Sequence, residues 1–382
     1  MNRDITSVAG RIMPAAIIAA FLVLGGRPAI TAEQTGSVET YRKAWSGVSK
    51  RIDENIERNR KGNATIEIVG EDGRPLKEAS LDIQQKTHAF LFGCNAFVLG
   101  QLSSDEMNKR YEDSFVKLFN FVTVPFYWAG TEPGKGKLRY EEPATNIWRR
   151  PPPDRFIPWA VKNGITLKGH PLLWHSHNPP WLPKDADELR GLYKNRFKEI
   201  SGRFADKIFI WDVVNESQVC PKRYQLYTPD RAYVEWAFKE VAPLFPERTT
   251  LMINEVTEYN FIPAEKNPYF SQVKTLLANG AKIRGIGFQY HFFRRKALDG
   301  YMGGPKSDPA KLLDLYEKFS EFNLPLYVTE ITFPSAGDDG DALQAEVVRD
   351  HYRLWFCAPK MAGITWWNLG DGTAVKGENE AK

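Results

Sequence analysis

Short apolar runs recur along this chain in alternation with longer segments of helical period, and that alternation leaves few folds open. The runs fall at residues 90–93, 121–124, 166–168, 208–211, 251–253, 283–287, 326–328 and 364–367. Between them lie Met107, Tyr111, Phe115 and Leu118, with Ser103 and Glu106 spaced as a capping box, and then Leu189, Tyr193, Phe197, Ile200 and Phe204 at steps of four, four, three and four. Further helical segments occupy about 230–242, 265–279 with Gly280 as the C-terminal cap, 308–322 and 340–357. Eight strands alternating with helices specify an α/β fold, a (β/α)8 TIM barrel, more economically than an open sheet of the same count. The stretch after Trp367 is polar and Gly-rich with no apolar stripe, so the eighth helix is not accounted for. Two readings stay open: a chain cut short before its last helix, or a gap covered by the elements that precede the barrel.

Those elements occupy residues 33–88, ahead of a catalytic barrel over 89–382. A polar helical lead-in runs from about 37 to 60. Residues 64–68 and 79–83 alternate around the turn Glu71-Asp72-Gly73, which is a β-hairpin signature. Residues 1–32 read as a secretory signal peptide: Arg3 and Arg11, an apolar run over 12–24, then small residues to Ala32. A membrane anchor needs about 20 apolar residues, whereas this run is shorter and contains Pro14. Export predicts a secreted or periplasmic protein, acting as a monomer, with no membrane contact after cleavage.

A net charge of +4, from 51 basic and 47 acidic side chains, supplies no concentrated field for a nucleic acid partner. Cys94, Cys220 and Cys357 permit one disulfide at most, with the pairing open. His170, His175 and His177 lie close together, but no matching ligand spacing accompanies them, so neither metal nor cofactor is called for. Residues 130–137 have the wrong spacing for a phosphate loop, and no G-x-S-x-G nucleophile elbow occurs.

In a barrel of this kind, functional side chains sit where strands end. The fourth strand closes on Asn215 and Glu216, and the seventh on Glu330. Two carboxyl groups facing each other across a barrel mouth suit glycoside hydrolysis, where one must hold a proton while the other is ionised. Asp212, earlier in its strand, reads as structural. His170 and Trp174 at the end of the third strand offer a polar edge and a ring face to a sugar.

In these residues the chain resembles family 10 glycoside hydrolases, the retaining endo-1,4-beta-xylanases and their relatives. The resemblance covers roughly residues 90–372 and rests on GHPLLWH (169–175), WDVVNE (211–216), GIGFQYH (285–291), YVTE (327–330) and TWWNLGD (365–371). It implies Glu216 as general acid/base and Glu330 as nucleophile, with Asn215 bonding the sugar 2-hydroxyl. It further implies that His291, beside Gln289, orients the nucleophile, and that His170, Trp174 and Trp367 line the subsite next to the scissile bond. Its implied substrate is a β-1,4-linked plant polysaccharide, xylan first. The family's Glu-Asn and Lys-Trp pairs after the second strand are replaced over residues 122–130, and bulky Phe126, Tyr127 and Trp128 are expected to narrow the cleft there. Two alternatives follow: a carbohydrate-binding barrel with impaired catalysis, or a hydrolase of another β-glycan or oligosaccharide.

Overall fold

The computed structural model describes residues 32–76, 78, 80–370 and 372–375, so the signal-peptide expectation lies outside the described residues but for Ala32. In chain order the elements are α1 (Ala32–Arg60), β1 (Leu91–Asn95), α2 (Asp105–Leu118), β2 (Phe121–Pro125), α3 (Trp128–Thr131), α4 (Phe156–Asn163), β3 (Thr166–His170), β4 (Leu173–Trp174), α5 (Ala186–Phe204) and β5 (Ile210–Asn215). There follow α6 (Ala232–Val241), β6 (Thr250–Glu255), α7 (Pro268–Ala278), β7 (Gly285–His291), α8 (Arg295–Met302), α9 (Pro309–Ser320), β8 (Leu326–Thr332), α10 (Gly340–Cys357) and β9 (Met361–Trp366). All strand pairings are parallel, and the pairing of β3 with β5 closes the ring into a barrel. β4 continues the line of β3 and pairs with β5 at Leu173–Val214 and Trp174–Asn215. The break between them falls at Pro171, which has no N–H to give the ladder. The eight expected strands are therefore present, one of them in two pieces.

The bore of the barrel is plugged where the strands begin. Phe121, Ile210, Met252 and Tyr327 form a cluster of their own there. Glycines on neighbouring strands admit these large side chains. A Cβ at Gly93 would come within 2.7 Å of the Phe121 ring, and one at Gly285 within 2.8 Å of Met252 Cγ. The main core lies between the strands and the surrounding helices, and the α5 stripe Leu189, Tyr193, Phe197, Ile200 and Phe204 is buried in it as its periodicity predicts. Most strands run past their expected ends, whereas β9 stops at Trp366. β5 runs on to Asn215 and β7 to His291, because the ladder continues through polar residues that an apolar count leaves out.

Two local expectations need correction. The cap of α2 is Ser104, whose Oγ accepts from the Met107 N–H at 3.2 Å; Ser103 instead contacts the Met107 sulfur, and Glu106 lies in the first turn. The hairpin at 64–83 is absent among the described residues apart from one isolated bridge, Val69–Pro75. Ile66, Leu81 and Ile83 are exposed there, and a two-stranded ribbon with no face to bury is marginal in water. The lead-in helix is real, and it lies mainly against the helices on either side of β8. α1 buries Tyr41, Trp45, Val48 and Ile52 and packs against α8, α9 and α10, with Arg42 paired to Glu346 and Arg51 to Asp314 and Glu317. Arg60 donates to the carbonyls of Phe356 and Ala358 at the end of α10 and to that of Met361, the first residue of β9. Cys94, Cys220 and Cys357 are buried and unbridged. Among the described residues no helix is long and apolar enough to cross a membrane.

Candidate active site

At the carboxyl end of the barrel the strands stop being apolar, and their last residues meet. Bulges set the aim of two of them. In β8 the pairing with β7 jumps from Phe288–Val328 to Gln289–Glu330, leaving Thr329 as the extra residue and bringing Glu330 level with Gln289. In β5 a shift between Asp212 and Val214 precedes Asn215 and Glu216. Glu216 then takes φ +57°, a left-handed conformation that directs its side chain into the mouth.

The two carboxylates share one donor. Gln289 Nε2 gives a hydrogen bond to Glu216 Oε1 at 2.9 Å and another to Glu330 Oε1 at 3.2 Å. Those oxygens cannot be further apart than the two lengths laid end to end, about 6.1 Å. Trp174 Nε1 donates to Glu216 Oε2 at 2.9 Å, and Asn215 Nδ2 to its Oε1 at 3.2 Å. Around Glu330, Asn254 Nδ2 donates to Oε1 at 3.0 Å and His291 Nε2 lies 3.1 Å from Oε2. A carboxylate can only accept, so the ring hydrogen sits on Nε2; a neutral His291 then accepts at Nδ1 from the Thr332 hydroxyl, 3.1 Å away. Trp367 sits edge-on to both His170 and His291, with ring centres 5.7 and 5.8 Å apart.

A second line of charge runs behind Glu330. Lys168 and Asp212, both fully buried, pair at 2.6 Å, and the same Asp212 oxygen takes the His170 Nδ1 hydrogen at 2.6 Å. His170 Nε2 stops 3.9 Å short of Glu330 Oε1, too long for a hydrogen bond but close enough for its charge to matter. These surroundings drive the carboxyls apart in acidity. Burial raises Glu216 above the ordinary carboxylate value, and the neighbouring charge of Glu330 adds to the rise against the pull of Gln289 and Trp174. Burial alone would raise Glu330 too, but the charge of His170, the His291 hydrogen bond and the charge of Lys168 outweigh it and hold Glu330 below the ordinary value. One acid that keeps its proton beside one that loses it is the division of labour that acid-assisted displacement at a sugar requires.

Every expected site residue lies in this cluster: Glu216, Glu330, His170, Trp174, Asn215, Gln289, His291 and Trp367. Asn254 was missed. It bridges the halves of the site, donating to both Asn215 Oδ1 at 2.8 Å and Glu330. The signal was available, since Asn254 follows the fifth apolar run just as Asn215 follows the fourth. Asp212 is buried as expected, and it fixes His170 through its hydrogen bond. Of the three bulky residues expected to narrow the cleft, only Tyr127 reaches it. Its ring lies 5.4 Å from His170 and 5.7 Å from Trp174, with the Arg150 guanidinium 3.9 Å from its centre. Phe126 packs inward on Phe204 and Trp211, and Trp128 on Tyr193, because neighbours in the chain face opposite ways. His170, His175 and His177 do not converge: His170 turns to Asp212, His175 flanks Tyr224, and His177 stacks on Trp174.

The family model for glycosyl hydrolase family 10 matches residues 91–380, a span that includes every barrel strand. The chain belongs to glycosyl hydrolase family 10. As a family 10 hydrolase, it is 28% identical over 282 residues to endo-1,4-beta-xylanase B of Thermotoga neapolitana, covering 69% of this chain and 73% of that one. It is 26% identical over 298 residues to a beta-1,4-xylanase of Dictyoglomus thermophilum, covering 72% and 78%. Among solved structures it is similar to xylanase 10B of Thermotoga petrophila in complex with xylobiose, with TM-score 0.61 and 23% identity over 76% of this chain and 88% of that one, a likeness of fold. The chain is thus a glycoside hydrolase of xylanase-like kind.

Proposed function

We propose that this hydrolase cleaves β-1,4 linkages of xylan by double displacement with retention at the anomeric carbon, and that it works outside the cytoplasm. One observation carries the reading: a single amide nitrogen touches both carboxylates, so their facing oxygens lie within about 6.1 Å. That accords with the ~5–5.5 Å of retaining enzymes and falls below the ~6.5–9.5 Å that leaves room for a water in inverting ones. In the first step Glu216 gives its proton to the glycosidic oxygen while Glu330 attacks the anomeric carbon, forming an ester as the leaving sugar departs. In the second, Glu216 takes a proton from water, the water oxygen bonds to the anomeric carbon, and the ester bond to Glu330 breaks. His291 and Asn254 hold the nucleophile, and Asn215 is positioned by Asn254 to reach a sugar hydroxyl. His170, Trp174 and Trp367 enclose the sugar that reacts.

The choice of xylan rests on the named activities of the relatives, and export on the apolar run at residues 12–24. Proton NMR of the first product released from an aryl β-xylobioside tests retention. The expected first anomer is β; an α anomer ahead of mutarotation overturns the mechanism. Tyr127 supports a second reading on substrate length, since its buried ring, flanked by Phe97 and covered by Arg150, occupies one wall of the cleft. On that reading short oligosaccharides or chain ends are preferred over internal bonds, and products of one size only would distinguish it from the ladder left by internal cleavage.

A further inference from the structure

Glu216 stands in a backbone conformation that a non-glycine residue adopts at a cost of ~1–3 kcal/mol and keeps only where its surroundings enforce it. The enforcement comes from both sides of the two residues that follow. On one side Glu255, the fully buried last residue of β6, accepts the Gln218 N–H at 2.8 Å and lies 3.2 Å from the Ser217 hydroxyl oxygen. On the other, Arg231 donates from Nε to the Ser217 carbonyl at 2.9 Å and from Nη2 to the Gln218 carbonyl at 3.1 Å. Gln272 Oε1 accepts from both the Ser217 hydroxyl and the Gln218 side chain, at 2.9 and 2.7 Å. The backbone N–H of Glu216 itself is held by the Asn254 carbonyl at 2.9 Å, so the turn begins from a fixed point. A buried carboxyl reading the N–H and a guanidinium reading the carbonyls of the same dipeptide leave its peptide planes one orientation.

We propose that Glu255 and Arg231 are positioning residues for the acid/base: by clamping Ser217 and Gln218 from opposite sides they hold Glu216 in its left-handed turn, with its carboxyl on Trp174 and Gln289. Neither touches the sugar or the reacting atoms. The inference rests on the reading of Glu216 as the group that protonates the leaving oxygen, and the test separates the two.

Three variants serve: Glu255→Leu, Arg231→Met and the conservative Arg231→Lys. Each is assayed as kcat/KM on aryl β-xylobiosides whose leaving groups run from dinitrophenol, which departs without a proton, to unactivated phenol, which needs one. General acid catalysis contributes ~10²–10⁴-fold. Partial misplacement of the acid is therefore expected to cost ~10–100-fold on the phenyl substrate and less than about threefold on the dinitrophenyl one, with Arg231→Lys recovering most of the loss. A merely structural fault lowers both substrates alike, and that equal loss overturns the proposal. Arg231 is only partly buried, so its variants keep the test alive if Glu255→Leu fails to fold. A crystal structure of Arg231→Met provides a readout independent of turnover: residue 216 leaving positive φ supports the clamp, and an unchanged turn contradicts it. If the unmodified protein turns over no aryl glycoside while this variant still relaxes the turn, the reading of the reaction has failed and the clamp has not.

Discussion

Replacing Gln289 by leucine keeps the volume of the side chain and removes the one donor that both carboxylates share. The sign of the effect follows from which protonation state that donor favours. An N–H aimed at a carboxylate stabilises the ionised form, so its loss makes Glu216 and Glu330 both hold protons more tightly. The proposed mechanism requires Glu330 ionised and Glu216 protonated. The low-pH limb of kcat/KM therefore follows Glu330, and the high-pH limb follows Glu216, as macroscopic properties of the pair. The contacts at 2.9 and 3.2 Å are ordinary hydrogen bonds to charged acceptors, worth ~1.5–3 kcal/mol each. At the lower figure, proton affinity rises about tenfold at each carboxyl, and both limbs of the profile move to higher pH together. The assay is initial-rate hydrolysis of an aryl β-xylobioside across the pH range. Limbs that stay in place, or that move in opposite directions, would refute the assignment of Gln289 as the bridge.

Asp212→Asn leaves Lys168 buried without its countercharge, and breaking such a pair costs ~3–5 kcal/mol, measurable by urea unfolding. In the unmodified protein Lys168 and His170 overcome burial and hold Asp212 below the ordinary carboxylate value. The unfolded chain then binds this proton more readily than the folded one. The stability Asp212 contributes is thus complete near neutral pH and drains away as pH falls through that depressed value, a loss that Asp212→Asn abolishes. Trp174→Phe keeps a ring against His177 but deletes the hydrogen bond to Glu216, and about tenfold lower kcat/KM is expected on substrates that need acid assistance. Gly169→Ala would put a Cβ 2.2 Å from the buried Trp211 ring, and overpacking of that degree lowers unfolding free energy by ~1–3 kcal/mol; an unchanged midpoint would contradict the packing described.

How far the chain could be read in advance divides along physical lines. The barrel was legible because most of its strands are short apolar runs and each long helix carries a stripe of period 3.6, both local properties. The two carboxylates proposed for catalysis could be singled out because polar residues ending such runs, at 215–216 and 330, have no structural reason to be there. Asn254 obeyed the same rule and was passed over. The partners of Asp212 could not be named, because Lys168 and His170 are far off in sequence and meet it only when β3 pairs with β5. Tyr127 could not be told from Phe126 and Trp128 while the side each faces was unknown. The hairpin signal at 64–83 was a true alternation with nothing for its apolar face to cover, and the bulge that aims Glu330 left no mark in the sequence at all.

Incubation with a 2-deoxy-2-fluoro-β-xylobioside bearing a dinitrophenyl leaving group, followed by mass spectrometry of the digested protein, bears most directly on the roles given to the two carboxylates. The account predicts a stable fluoroglycosyl ester on the peptide that contains Glu330, and none when Glu330→Ala is treated in the same way. An adduct on Glu216, or hydrolysis of the natural linkage by Glu330→Ala at the rate of the unmodified protein, would contradict it.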